Sequence, residues 1–124
     1  MTGVDACAVA VNLMKGWGTR GARFAVDDAT TLSTFGDASV DVVVAKATLD
    51  VILCGEGSDA NAKKAVAAWR RVLKPGGVVV VVSPEDRAAR FDAAQWDAEA
   101  VDVAAPEKVD GAPATVRVAT FTKK

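Results

Sequence analysis

The chain has 124 residues, 51% hydrophobic and 25% charged, with 15 basic against 16 acidic side chains and no histidine. That length suits a single domain spanning residues 1–124, with one core, and the balance is globular rather than disordered. A formal net charge of −1 without a basic stripe argues against nucleic acid and anionic membrane as partners, and the lack of histidine excludes His-based acid–base chemistry and His-containing metal sites.

Met1 to Val4 is short and apolar and ends at Asp5, the pattern of a strand tail. Residues 6 to 17 carry a helical stripe of Val9, Ala10, Leu13 and Trp17, closed by Gly16 and Gly18, with Gly18 or Gly21 as terminator. Arg23 to Val26 is a second short strand, followed by a polar connection from Thr30 to Ser39. Asp41 to Lys46 is a third strand, apolar on both faces. Ser58 or Asp59 can cap a helix from about 60 to 73, whose stripe is Ala62, Ala65, Val66, Trp69, Val72 and Leu73.

The helix is stopped by Pro75, because the residue before a proline is biased out of the helical region. Gly76 and Gly77 follow, and both are expected to take up positive φ. Val78 to Val82 is then a run of β-branched residues without alternation, which reads as a strand covered on both faces. A short helical segment is expected around Asp86 to Phe91. Glu99–Val103 and Thr115–Thr122 alternate, with Pro106 to Pro113 between them, and read as an antiparallel hairpin. The fold class is therefore α/β: a Rossmann-like, mostly parallel sheet with helices on both faces and a C-terminal antiparallel hairpin.

Cys7 and Cys54 are not in a CxxC pair and read as two buried, reduced thiols. No apolar run approaches the roughly 20 residues that cross a bilayer. The N-terminus lacks the basic and apolar regions of a signal peptide, so a cytoplasmic location is expected. Trp17, Trp69 and Trp96 read as core or edge packing, since no basic residues interleave with them as in a stacking platform.

In an open α/β sheet a ligand lies outside the carboxyl ends of the strands. Asp5, Asp28 and Lys46 fall at such ends. Asp5 can accept hydrogen bonds from a ribose diol or cap the helix beginning at Ala6, and one acid can do both. Asp28 can accept from the exocyclic amine of an adenine, with the Ala29 N–H donating to the ring, or it can form a turn. Lys46 can equally be a surface charge at a strand end.

Four segments occur in order: Thr2-Gly-Val-Asp5, Phe24-Ala-Val-Asp-Asp-Ala29, Asp41-Val-Val-Val-Ala-Lys-Ala-Thr-Leu-Asp50 and Arg71-Val-Leu-Lys-Pro-Gly-Gly77. Together they resemble class I S-adenosylmethionine-dependent methyltransferases. Lys46-Ala-Thr-Leu-Asp50, with Cys54-Gly55 after it, resembles the branch that includes lysine methyltransferases acting on translation elongation factor 1A. The resemblance implies S-adenosylmethionine as cofactor and a protein side chain as methyl acceptor. It implies that Asp5 with Ala6 holds the ribose, that Asp28 with Ala29 holds the adenine, and that Ala45 and Lys46 lie near the methionine part. Transfer in that family is direct and in line, governed by orientation and desolvation, so no dedicated catalytic residues are required.

The chain departs from the pattern in three places. The branch usually has an acid at the position of Ala45 and a glycine at that of Ala47. The resemblance also begins in the family's second strand. The first strand and its glycine-rich turn have no counterpart, and no G-x-G-x-x-G occurs. That strand is central in the family's sheet, between those represented by residues 1–5 and 41–46. The fold is therefore expected to be incomplete, with two strand edges that pair with each other, accept a strand from another chain, or leave the domain weakly stable. A non-catalytic module that self-associates or pairs through this edge is the alternative reading, and a nucleotide-dependent oxidoreductase a third.

Overall fold

A computed structural model describes residues 1–109 and 112–124. Chain order is β1 (Thr2–Asp5), α1 (Ala8–Gly16), β2 (Arg23–Val26), β3 (Val40–Lys46), α2 (Thr48–Leu53), α3 (Ser58–Val72), β4 (Leu73–Ser83), a 3-10 turn (Ala88–Arg90), β5 (Trp96–Val109) and β6 (Ala112–Lys123). The class is α/β, as expected. Two β–α–β units join parallel neighbours, β1 to β2 and β3 to β4. The hairpin then folds back so that β6 lies antiparallel between β4 and β5.

The described strands form two sheets, β1–β2 and β3–β4–β6–β5. No ladder joins β1 to β3 among the described residues, so of the three outcomes expected for the open edges, direct pairing is not the one adopted.

The core lies between α3 and one face of the larger sheet. Along that face Val43, Val79 and Phe121 are cross-strand partners, as are Ala45, Val81 and Ala119. From α3, Ala62, Ala65, Val66, Trp69 and Val72 are buried, with Leu73 at the start of β4, so every position of the expected stripe packs inward. Phe91 stacks on Phe121 with centroids 3.7 Å apart and meets the edge of Trp96 at 5.4 Å. The Lys123 ammonium donates to the carbonyls of Arg70 and Leu73 at 2.8 and 2.7 Å, satisfying acceptors that the helix end leaves open.

Several expectations are corrected. Val78 to Val82 of β4 are buried or half-buried as expected, whereas β3, apolar on both faces, is covered on one: Val42 and Val44 are 53% and 69% exposed. The α1 stripe is misplaced, because Val11 is the buried residue while Val9, Leu13 and Trp17 face outward. Trp17 is thus no core residue, unlike Trp69 and Trp96. Cys7 and Cys54 are exposed free thiols. Neither Ser58 nor Asp59 caps α3; Gly57 occupies the cap in left-handed geometry and Asp59 sits in the first turn. The helix α2 was not foreseen.

Only Gly76 of the glycine pair has positive φ (76°). Gly77 is required for a different reason: a Cβ there would stand 2.8 Å from the Lys74 carbonyl oxygen and 3.1 Å from that of Asp41. The Lys-Pro-Gly-Gly segment is therefore an irregular first section of β4, with Leu73 paired to Val40 and a register shift before Val42. The hairpin strands run further than expected, to Val109 and from Ala112, so the anticipated loop is largely strand; Asp110 and Gly111 lie outside the described residues.

Candidate functional site

The carboxyl ends of β1 and β2 lie side by side, since Asp5 pairs with Val26 and the Asp27 N–H donates to the Asp5 carbonyl at 3.1 Å. Asp5 is exposed. Its Oδ1 accepts the Cys7 N–H at 2.8 Å, closing the turn through the exposed Ala6 into α1. The helix cap itself is Cys7, with no side-chain bond, so Asp5 shapes the approach to the helix rather than capping it from Ala6. Asp5 Oδ2 has no partner among the described residues.

Beyond β2, two adjacent acids do different work. Asp27 is buried and organises the loop: Oδ1 accepts N–H bonds from Asp28 (2.7 Å) and Ser33 (3.2 Å), and Oδ2 accepts from the Thr34 N–H (3.1 Å) and hydroxyl. Burial alone would raise its pKa, but the bonds from the Thr34 hydroxyl and from three backbone N–H groups outweigh that and hold it below 3.8. Asp28 is exposed, and its Oδ1 accepts from the Thr30 N–H at 2.8 Å and the Thr30 hydroxyl at 2.7 Å. Those two bonds, the hydroxyl's first, also lower its pKa, so it stays ionised and acceptor-only.

The next residue, Ala29, is fixed from the other side. The Trp69 indole N–H donates to its carbonyl at 3.0 Å, tying the loop after β2 to the middle of the core. The Ala29 N–H donates to no group among the described residues. Arg71 extends the clamp, donating to the carbonyls of Phe35, Thr31 and Leu32 at 2.9, 3.1 and 2.9 Å and to Asp37 at 2.8 Å. The structure thus brings Asp5, Ala6, Asp28 and Ala29 to one end of the β1–β2 pair.

The remaining predicted residues belong to the other sheet. Ala45 is 2% exposed with its methyl in the core, so only its backbone can face a ligand. Lys46 is exposed at the end of β3 beside Val82. Ala47 follows with φ 57° and donates its N–H to the Val82 carbonyl at 2.9 Å. Nearby, Asp50 Oδ1 accepts from the Ser83 hydroxyl at 2.7 Å and from Arg87 Nε at 2.9 Å, while the solvent-shielded Oδ2 has no partner among the described residues.

Asp27, Arg71 and the Asp50–Ser83–Arg87 cluster were missed from sequence. The Asp-Asp doublet offered a signal for Asp27, because a turn after a strand needs only one of the two. The partners of Arg71 and Asp50 lie more than 30 residues away and leave no local trace. A cleft of about 580 Å³ lined by Met1, Thr2, Gly21, Ala22 and Arg23 lies at the opposite, N-terminal ends of β1 and β2.

Two carboxylates and a free backbone N–H at adjacent strand ends form a set of acceptors and a donor suited to a nucleoside: a diol and an exocyclic amine donate, a ring nitrogen accepts. The parallel β–α–β units and the strand order are those of a Rossmann-like α/β fold. A profile of the methyltransferase domain family matches residues 1–81, and the chain belongs to that family.

A SAM-dependent methyltransferase from Methanosarcina mazei superposes with a TM-score of 0.74 at 18% identity, over 98% of this chain and 81% of that one. The N-methyltransferase NodS from Bradyrhizobium japonicum, solved in complex with S-adenosyl-L-homocysteine, gives 0.69 at 15% identity over 98% and 65%. A complex between the Haloferax volcanii Trm112 methyltransferase activator and the putative methyltransferase gives 0.70 at 16%, over 99% and 72%. No curated protein matches. The expected cofactor, S-adenosylmethionine, is that of these relatives.

Proposed function

We propose that this chain carries the adenosine-gripping part of an S-adenosylmethionine-dependent methyltransferase, a single but partial domain. The observation that carries the reading is the junction of β1 and β2, where exposed Asp5 and the exposed, ionised Asp28 stand near the N–H of Ala29, which donates to no group among the described residues. Asp5 with Ala6 holds the ribose hydroxyls, and Asp28 with Ala29 holds the adenine edge. The backbone of Ala45 and Lys46 borders the methionine end. When bound, the cofactor supplies a methyl group on a sulfonium, and these residues orient it.

Each charge-assisted bond of this kind contributes roughly 1.5–3 kcal/mol, so loss of either carboxylate weakens binding on the order of tenfold or more. The test is saturation-transfer NMR of the full chain with millimolar S-adenosylhomocysteine. Adenine and ribose protons are expected to receive magnetisation more strongly than the homocysteine methylenes, and the signal is expected to vanish in Asp5→Ala and in Asp28→Ala. No transfer, or transfer unchanged in both variants, refutes the assignment.

The acceptor is a protein side chain such as lysine, a reading supported by the Lys46-Ala-Thr-Leu-Asp50 segment and its resemblance to the elongation-factor branch. Incubation with tritiated S-adenosylmethionine and a cell extract, followed by acid hydrolysis, is expected to yield methyl-lysine. Label recovered only in other products, or none, contradicts it. A non-catalytic module is favoured by one observation alone: among the described residues β1 pairs only with β2, and β3 only with β4.

A further inference from the structure

We infer that the inner edge of the β5–β6 hairpin, at residues 114–116, takes up an extended, basic peptide segment as an added β-strand, and that the methyl acceptor docks there. The inference rests on the methyltransferase reading for what the segment does once docked; the edge itself is defined by strand register.

β4 ends at Ser83, opposite Arg117 of β6. Because β6 runs antiparallel to β4, the residues before Arg117 stand beyond the carboxyl end of β4. They keep partners on β5, where Val116 pairs with Val103 and Thr115 with Ala104. On the other side they have none among the described residues. The hairpin is thus an arm that overhangs the sheet on the side where β3 also ends, at Lys46 beside Val82. At a rise of about 3.3 Å per residue, the stretch from Ala112 to Val116 is about 16 Å long. A strand laid on its inner edge continues the line of β4, so its near end lies about one strand spacing, roughly 4.8 Å, from the line of β3.

The chemistry of the occupant follows from the edge. A row of N–H and C=O groups is matched only by an extended backbone. Free edges are ordinarily guarded by charge or proline. The outer strand β5 carries Asp97, Glu99 and Asp102, and Pro113 guards the start of β6, whereas Ala114, Thr115 and Val116 carry no charge. The face of the arm opposite α3 is apolar, with exposed Val103 beside half-buried Val116 and exposed Val101 beside half-buried Val118. Around its base the charge is negative. Arg117 already donates to Asp86 and Asp102 at 2.7 and 2.8 Å. Glu85, exposed just past the end of β4, and exposed Glu99 pair with no basic group among the described residues. A segment alternating apolar and lysine side chains suits this edge. The β5 edge of a second copy does not, since it would bring Asp97, Glu99 and Asp102 against Glu85.

The probes are a synthetic peptide of alternating lysine and valine, the same peptide N-methylated at every second backbone nitrogen, and a peptide of alternating glutamate and valine. Each is added at about 1 mM to the isotope-labelled full chain, and amide exchange and shifts are followed by NMR. The lysine–valine peptide is expected to slow exchange between Ala114 and Val116 by about tenfold or more and to shift the amides of Lys46 and Ala47. The N-methylated peptide, which cannot complete the ladder, and the glutamate peptide are expected to do neither. Glu85→Lys is expected to weaken the lysine–valine peptide about threefold or more. No protection between Ala114 and Val116 overturns the inference. So does protection of the outer edge of β5 in its place, equal protection by either control, shift changes that stop short of Lys46, or unchanged affinity in Glu85→Lys. Protection without peptide, alongside a dimer in light scattering, overturns it as well. The readout needs no cofactor: peptide docking without S-adenosylhomocysteine binding refutes the functional reading and leaves the edge standing, and the converse result does the reverse.

Discussion

Replacing Ala47 with glycine is expected to stabilise the protein, and the reason lies in one backbone angle. Ala47 adopts φ 57° and ψ 7° at the junction of β3 and α2, where its N–H holds the Val82 carbonyl. An L-residue there brings Cβ against the following carbonyl, at about 1–2 kcal/mol. The methyl is exposed and contributes little burial, and at a helix N-cap glycine is better tolerated than alanine. Against the relief stands the larger unfolded-state entropy of glycine, about 0.5–1 kcal/mol. The net gain is about 0.5–1 kcal/mol. With an unfolding entropy of about 2.1 cal/mol/K per residue, a chain of this size melts about 2–4 °C higher. Gly57→Ala is the converse test, since Gly57 has φ 64° and an added Cβ meets only Asn61 at 3.6 Å; it is expected to lower the melting temperature by a similar amount. Urea melts should show both shifts in midpoint with unchanged slope. If Ala47→Gly is neutral or destabilising while Gly57→Ala destabilises, the strain argument at Ala47 is wrong.

Trp69→Phe keeps most of the buried ring but removes the donor to the Ala29 carbonyl, so a loss of about 1–2 kcal/mol is expected in chemical denaturation, together with weaker adenine contacts in the NMR experiment. Gly77→Ala is expected to cost about 2–3 kcal/mol because two backbone carbonyls and the buried Leu73 Cδ2 occupy the space; Gly76→Ala meets nothing and costs only its positive φ, so the two melts should rank in that order. For pH, the folded-state pKa of Asp27 is depressed. Its contribution is thus present above 3.8 and is lost as pH falls through the lower folded value. Asp27→Asn should therefore melt lower than the wild type at neutral pH and lose less stability between about pH 5 and about pH 3; equal acid losses in both would remove Asp27 from that role.

What was readable in the sequence was what depends on neighbours along the chain. Ala62, Ala65, Val66, Trp69, Val72 and Leu73 recur at helical spacing and all pack inward, because a helix lying on a sheet has one dry face. The α1 stripe failed by the same rule. Periodicity marks an apolar face but not what covers it, and in this chain Val9, Leu13 and Trp17 are uncovered. The run Val78–Val82 implied two covered faces and is buried or half-buried throughout, whereas in β3, equally apolar on both faces, Val42 and Val44 stay exposed. Asp5, Asp28 and Ala29 stood out as candidates because they follow short strands. The clamps that hold them, Trp69 to Ala29 across 40 residues and Arg71 to the 31–35 segment, depend on tertiary contact.

These clamps also explain how half a site can be preformed beside an open sheet. The loop after β2 does not rely on a ladder between β1 and β3 for its shape. Asp27 gathers the N–H groups of Asp28, Ser33 and Thr34 from within, and Trp69 and Arg71 hold the carbonyls of Ala29, Thr31, Leu32 and Phe35 from α3. Because α3 is anchored on the β3–β4 sheet through Trp69 and Val72, the loop bridges the two sheets without a ladder between them. The position of Asp28 and Ala29 is thereby set from the helix, whereas Asp5 ends a strand that pairs with β2 alone among the described residues.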